Sequence, residues 1–186
     1  DSRRGLKGAQ VLAEWNDIAA QRMKTLRSAD EAYFAEPAMT PTGPGTRADF
    51  LSIRILDCWV HEQDVRRAVG IAGNLDGSAA EHTIDRLIRT VPIVVGKRAG
   101  TADGQSVIID ITGGVRRHII CTVADGRAAV VNVEPEAPLA RITMDTETFL
   151  VLATGRRDAA SVASKIEYAG DVAHGQKVTG ALNMMI

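Results

Sequence analysis

The sequence predicts an α+β protein, with helices in its first half and a mainly antiparallel sheet in its second half. Two observations predict this class. At residues 6–26 apolar side chains recur at the spacing of an amphipathic helix, and cap signals mark two further helices before about residue 90. After Gly100, apolar residues stand in short runs rich in valine and isoleucine that are separated by glycine turns, as in strands. Strands that come in one group favour a mainly antiparallel sheet.

The first predicted helix covers residues 6–26. Its apolar positions, which include Val11, Trp15 and Ile18, recur at helical spacing and predict one buried stripe. Residues 36–48 follow with three prolines and two glycines. Proline and glycine interrupt helices and strands, so this segment is predicted to be a loop without regular structure.

Two further helices are predicted before the strands begin. One covers about residues 49–69, and Gly70 directly after it is a natural left-handed cap. The other covers residues 79–90, because Ser78 and Glu81 have the spacing of an N-terminal capping box.

The second half of the chain is predicted to contain five strands and two helices. Asp125 and Gly126 form a turn signal between two of the strands and predict a hairpin. The polar segment 96–104 predicts a boundary between a helical domain at residues 1–96 and an α+β domain at residues 104–186. The predicted strands are 107–111, 115–123, 128–133, 140–144 and 165–168, and the predicted helices are 146–153 and 172–182.

Composition narrows the class of partner. The 186 residues carry a net charge of −1, and the arginine pairs at 66–67 and 156–157 are best explained as solvated surface, so no nucleic-acid or anionic-membrane surface is expected. The apolar runs fall short of the roughly 18 residues of a membrane helix. Cys58 and Cys121 stand in apolar segments, which favours buried thiols over a disulfide. We therefore expect a cytoplasmic protein.

The residues best suited to chemistry lie on the second predicted helix. Asp57, His61 and Asp64 are spaced i, i+4 and i+7, so their side chains project from one face. A carboxylate and an imidazole four residues apart meet over one turn and can both reach one ion. Imidazole nitrogen with carboxylate oxygen suits zinc, and also iron, manganese or nickel. Asp64 or Glu62 would then orient the other ring nitrogen of His61.

A salt bridge or hydrogen bond between Asp57 and His61 is the alternative interpretation, because two ligands are too few for a metal site. The neighbours Leu56, Trp59 and Val60 are apolar, so the polar cluster is expected to be partly buried unless it faces a cleft. A buried charge needs a partner, and a metal ion is one such partner. That expectation favours the metal site.

Other reactive residue types give weaker signals. His82, His118 and His174 are predicted to be surface residues. His174 is also the residue through which the second domain could supply a group to the site. Cys58 lies about 100° around the helix from Asp57 and is predicted to belong to the core. The sequence contains no phosphate-binding loop, dinucleotide-binding glycine pattern, nucleophile elbow or paired CxxC motif.

Residues 56–70, with the sequence LDCWVHEQDVRRAVG, resemble the signature of the mycothiol-dependent maleylpyruvate isomerase family of actinobacteria. That family belongs to the DinB-like group of metal-binding four-helix bundles, so the first half resembles part of such a bundle. Residues 140–145, 149–156 and 168–171 with the last helix are similar to the family's C-terminal domain, which is related in shape to sterol carrier proteins. The resemblance covers nearly the whole chain.

The resemblance implies a divalent metal, usually zinc. Its ligands would be one histidine from an early helix, and an acidic residue and a histidine four apart on a later helix. The later pair corresponds to Asp57 and His61. Residues 1–50 contain no histidine, so the third ligand is expected upstream of Asp1. The isomerase has glutamate at the acidic position, and Asp57 is one methylene shorter.

The resemblance also implies mycothiol as a thiol cofactor, whose pKa a bound metal would lower to deliver a thiolate nucleophile. The expected function is a metal-dependent and mycothiol-dependent transferase or isomerase that acts on a small molecule. Two alternatives stay open. One is a non-catalytic module of the same fold that binds a small molecule or a regulatory protein. The other is a lipid-carrier role for the C-terminal half, which an apolar tunnel there would support.

Overall fold

A computed structural model describes residues 2–184 of the chain. The chain divides into two compact units, Asp1–Arg54 and Ile55–Ile186, and we describe each by itself. The predicted α+β class is confirmed, since a helical N-terminal region is followed by an α+β domain. That the helical region is part of a DinB-like four-helix bundle stays a prediction, as do the domain limits 1–96 and 104–186.

The first unit begins with helix α1 (Gly8–Arg27), close to the predicted limits. The expected burial of its apolar stripe is wrong, because none of residues 8–27 is buried. Trp15 and Ile18 remain 64% and 55% exposed. A short helix α2 (Glu31–Ala35) follows, and the Asp30 carboxylate caps it by accepting a hydrogen bond from the Tyr33 N–H at 2.9 Å.

The prediction of an irregular loop at residues 36–48 is wrong. Strands β1 (Pro37–Thr40) and β2 (Gly43–Thr46) form a two-stranded antiparallel ribbon. Both strands of such a ribbon have an edge without a partner, where a proline does not remove a ladder hydrogen bond. The Thr40 hydroxyl donates to the Gly43 carbonyl at 2.8 Å and closes the turn.

Helix α3 (Arg47–Val69) begins two residues before its predicted start. Thr46 and Asp49 make reciprocal bonds there: the Asp49 carboxylate accepts from the Thr46 N–H at 2.8 Å, and the Thr46 hydroxyl accepts from the Asp49 N–H at 3.2 Å. Gly70 ends the helix with φ 70°, as predicted.

Helix α4 (Gly77–Ile88) begins earlier than predicted, with Asp76 at its N-cap. The proposed capping box of Ser78 and Glu81 is therefore wrong, because Ser78 already lies inside the helix. A π-helical turn (Ile93–Arg98) follows, so Gly96 belongs to a helix and not to an irregular connector. A Cβ atom on Gly96 would lie 2.7 Å from the Ala128 Cβ, which shows how closely this turn packs on the neighbouring strand.

The sheet of the second unit has five strands in the order β5-β4-β3-β6-β7. Strands β3 and β6 pair in parallel and the other neighbours are antiparallel, so a mainly antiparallel sheet is confirmed. Asp125 and Gly126 form the hairpin turn with φ 51° and 69°. The strands are β3 (Ser106–Thr112), β4 (Arg117–Ala124), β5 (Arg127–Val131), β6 (Ala140–Asp145) and β7 (Ile166–Gly170).

Helices α5 (Thr146–Ala153) and α6 (Val172–Gly180) pack on the sheet, and a 3₁₀ turn (Ala160–Lys165) precedes β7. The core between these helices and the sheet is apolar: Phe149, Ile109 and Ile142 are fully buried. Residues from the second half of α3, among them Trp59 at 2% exposure, belong to the same core. No helix within residues 2–184 combines the length and the hydropathy needed to cross a membrane.

Candidate functional site

The three polar residues predicted to share a face of α3 lie together. His61 stands between two carboxylates: its Nε2 lies 3.5 Å from the Asp57 Oδ1, and its Nδ1 lies 3.1 Å from the Asp64 Oδ2. Helical spacing alone produces this arrangement, because residues three and four apart are neighbours on the helix surface. The sequence therefore located the cluster correctly.

The expected partial burial of this cluster holds for its two carboxylates but is wrong for the ring between them. The Asp57 and Asp64 side chains are 39% and 33% exposed, whereas the His61 side chain is 64% exposed. The apolar neighbours Leu56, Trp59 and Val60 are buried, so the helix separates an apolar face from a polar one. A metal ion is consequently not needed to compensate a buried charge, and only the geometry of the donors can favour one.

Asp64 is held by two arginines. Arg156 approaches it as a fork, with its NH2 3.0 Å from Oδ2 and its Nε 3.2 Å from Oδ1, and the Arg67 NH2 lies 2.6 Å from Oδ1. The hydrogen bond from Arg156 is the main reason that the pKa of the Asp64 carboxyl is held well below its usual range, and Arg67 adds to it. The Arg67 NH1 also donates to Glu147 of α5 at 2.8 Å.

The hydrogen bond with Asp64 favours one tautomer of His61. An ionised carboxylate only accepts hydrogen bonds, so the His61 Nδ1 carries the proton of the 3.1 Å contact with Asp64. In the neutral ring the lone pair is then on Nε2, the atom that faces Asp57. Glu62 does not take this role, because its Oε1 already accepts from Arg66 at 2.8 Å and from Asn74 at 2.7 Å.

The donor pair fits two positions of a zinc site. Two ligand atoms about 2.1 Å from a tetrahedral zinc ion lie about 3.4 Å apart. The observed separation between the His61 Nε2 and the Asp57 Oδ1 is 3.5 Å. Within residues 2–184, however, no three or more His, Cys, Asp or Glu side chains form a group able to hold a metal ion. The described residues therefore supply two ligands and do not complete a site.

A pocket of about 270 Å³ lies beside this network, at the end of α3. Arg67 and Glu147 form part of its wall, together with Arg66, Gln63 and Leu75. Arg66 is occupied by its salt bridge to Glu62 at 2.8 Å, which supports a structural role for Arg66 and not an anion-binding one.

The other predicted residues lie elsewhere. His174 is buried at 8% exposure, and its Nε2 is 2.8 Å from the Thr101 hydroxyl, so its assignment to the surface is wrong. Cys58 is exposed, so its assignment to the core is also wrong, whereas Cys121 is buried and burial raises its pKa to about 11. His118 is exposed, as predicted, and contacts Asp110 and Glu134.

Sequence reasoning missed the role of Arg156 and Arg67. Both arginines belong to pairs that looked like solvated surface, and both are in fact used in ion pairs. Of the two, only Arg67 stands near Asp64 in the sequence, three positions away on the same helix. A contact between positions 64 and 156 has no local pattern from which it could be predicted.

Comparison with models of protein families finds a match for each of the two parts of the chain. Residues 85–183, more than half of the chain, match the model described as the SCP-2 sterol transfer family. The chain belongs to this family. Residues 1–66 match the mycothiol maleylpyruvate isomerase N-terminal domain, and this segment includes Asp57, His61 and Asp64. The resemblance inferred from residues 56–70 is thereby confirmed.

Solved structures similar to this SCP-2 family member include two sterol carrier proteins. The apo form of sterol carrier protein 2 from Yarrowia lipolytica is 15% identical, with a TM-score of 0.40, and the match covers 55% of this chain and 88% of that one. The sterol carrier protein domain 2 of Helicoverpa armigera is 14% identical, with a TM-score of 0.41, and the match covers 56% and 88%. No curated protein matches the sequence.

Proposed function

We propose that this chain carries part of the metal site of a mycothiol-dependent transferase or isomerase, with Asp57 and His61 as two ligands of a divalent ion. The distance of 3.5 Å between the His61 Nε2 and the Asp57 Oδ1 supports this most directly, because it equals the spacing of two zinc ligands within about 0.1 Å. The match of residues 1–66 to the mycothiol maleylpyruvate isomerase N-terminal domain supports the choice of cofactor.

Each residue of the cluster has a separate task in this proposal. Asp57 and His61 donate an oxygen and a nitrogen to the ion, and Asp64 holds the imidazole ring through Nδ1. A bound divalent ion would lower the pKa of a thiol and so supply a thiolate at neutral pH. Because a catalytic site keeps three protein ligands, the proposal includes a further histidine outside residues 1–186.

Metal content tests the proposal. Elemental analysis of the full-length polypeptide, purified without chelators or a histidine tag, is expected to give about one zinc per chain. The His61→Ala variant is expected to lose it, whereas His82→Ala, which changes a partly exposed histidine on α4, keeps it. A wild-type protein without metal, even after zinc is added back, would overturn the proposal and leave a non-catalytic binding module of the same fold.

A second candidate is the binding of a small lipophilic molecule by the SCP-2 domain. A pocket of about 250 Å³ lies between the 3₁₀ turn and α6, where Ala159, Ala160, Ala163 and Tyr168 form most of its wall. This volume is below the usual range of about 300–1,000 Å³ for ligand pockets, which favours an acyl chain over a whole sterol. Titration with a fluorescent fatty acid is expected to show binding that Ala163→Trp abolishes. No binding by the wild-type protein would exclude this function.

A further inference from the structure

We infer that Arg156, in the SCP-2 domain, is a positioning residue for the candidate site on α3. It fixes the Asp64 carboxylate, and Asp64 in turn fixes the ring of His61. The inference rests on the proposed function for the importance of His61, but the contacts themselves do not depend on it. It means that residues 85–183 help to shape a site whose ligands lie in residues 1–66.

The backbone around Arg156 holds this side chain in place. Helix α5 ends in a tight turn, in which the Arg156 N–H donates to the Val151 carbonyl at 2.8 Å and Gly155 adopts φ 67°. A Cβ atom on Gly155 would lie 2.6 Å from the Asn183 side chain, so this turn is closely packed. The Arg156 NH1 donates to the Thr154 carbonyl at 2.9 Å. The guanidinium is therefore anchored to the end of α5.

The remaining donors of Arg156 face Asp64. The Nε and NH2 groups meet the two carboxylate oxygens at 3.2 and 3.0 Å, which is the bidentate geometry that arginine forms with carboxylates. This fork determines the plane of the carboxylate. Arg67 contacts only Oδ1 of Asp64, at 2.6 Å. Of the two arginines, Arg156 alone contacts Oδ2, the oxygen that faces the His61 Nδ1.

Loss of this fork should act on His61 through Asp64. The His61 side chain is 64% exposed, so packing does little to hold its ring. Without Arg156, the Asp64 carboxylate keeps one arginine contact and is free to rotate about it. The His61 ring would then exchange tautomers, and its Nε2 lone pair would face Asp57 for only part of the time. Partners that orient a metal-bound histidine in this way typically change metal affinity by about 10- to 100-fold.

The test compares Arg156→Gln with Arg157→Gln in the full-length protein. Arg157 is exposed, and its side chain donates to the neighbouring Arg156 carbonyl at 3.3 Å and not to Asp64, so its variant is a matched control. The first readout is the tautomer of His61 in the metal-free protein, measured by nitrogen-15 NMR of the imidazole at alkaline pH. The second is the affinity for zinc alone, measured by competition with a chromophoric chelator.

We expect the Nδ1–H tautomer in the wild-type protein and in Arg157→Gln, and a mixture of tautomers in Arg156→Gln with zinc affinity about 10- to 100-fold weaker. An Arg156→Gln protein that keeps the tautomer and affinity of the control would overturn the inference. If Arg156→Gln does not fold, Arg156→Lys replaces it, since lysine keeps the charge and lacks the fork. A wild-type protein that binds no zinc defeats the proposed function, while the tautomer still decides the role of Arg156.

Discussion

The indole N–H of Trp59 donates to the backbone carbonyl of Asn74 at 2.9 Å, which links α3 to the segment that leads into α4. Trp59 is only 2% exposed, and its ring belongs to the core of the second unit. The same carbonyl accepts a second hydrogen bond, from the Gln63 amide at 3.1 Å. The apolar face of α3 is thus joined to the fold directly behind the polar face that carries His61.

Replacing Trp59 should therefore destabilise the fold strongly. Trp59→Ala is expected to lower the free energy of unfolding by about 3–5 kcal/mol, because it leaves a large cavity in the core. Trp59→Phe should cost less, since the Asn74 carbonyl keeps its bond from Gln63. Urea denaturation measures both values. Val65→Ala on the same helix is the control, since Val65 is 62% exposed and its loss should change stability by no more than about 0.5 kcal/mol.

The ring of His118 should titrate above the usual value for histidine. Its Nδ1 lies 2.5 Å from Asp110 and its Nε2 lies 2.8 Å from Glu134, and these carboxylates, Asp110 foremost, raise the pKa of His118. An NMR titration of the ring is expected to give a midpoint above about 6.5, and Glu134→Gln should lower it. A midpoint at or below 6.5 in the wild-type protein would contradict the contacts.

The contact between His118 and Glu134 also predicts how the stability of the fold depends on pH. A raised pKa in the folded state means that the contribution of His118 is fully present below about pH 6.5 and is lost as the pH rises through the folded pKa. The pKa of Glu134 is lowered, chiefly by His118, so its contribution is lost as the pH falls through the folded pKa of that carboxyl. Hence the stability difference between wild type and His118→Gln should be largest between about pH 5 and 6.5.

The predictable part of the site is the part encoded by spacing along one helix. The shared face of Asp57, His61 and Asp64 follows from 3.6 residues per turn, and Gly70 marks the end of α3 in the sequence. Arg156 meets Asp64 across 92 positions of sequence, and such a contact depends on how α5 ends and packs. The exposure of His61 could not be predicted either, because the sequence shows that α3 has apolar positions but not which face is covered.

The strands were predictable for a similar reason. Runs of β-branched residues with glycine turns located β3, β4, β5 and β6, whereas the parallel pairing of β3 with β6 depends on the crossing segment between them. The ribbon of β1 and β2 was missed because its prolines resemble loop signals and are tolerated only at unpaired edges.

The packing of the π-helical turn on β5 predicts that Gly96 tolerates no side chain. A Cβ atom there would lie 2.7 Å from the Ala128 Cβ, so Gly96→Ala should force the turn and the strand apart and destabilise the protein by about 1–3 kcal/mol. The control is Gly180→Ala at the end of α6, where a Cβ would meet nothing within 4 Å. Thermal unfolding measures both variants, and Gly96→Ala is expected to melt at the lower temperature. Equal melting temperatures would show that the turn can move away from Ala128.

The two cysteines should react with thiol reagents at very different rates. Cys58 is exposed on α3, one residue from Asp57, whereas Cys121 is fully buried in β4 and burial raises its pKa to about 11. Since the thiolate is the reactive form and must be reached by the reagent, one thiol per chain is expected to react quickly with a disulfide reagent such as Ellman's. Cys58→Ser should remove the fast phase, and unfolding in urea should release the second thiol. Two fast thiols in the native protein would mean that β4 opens readily, and none would mean that Cys58 is covered in solution.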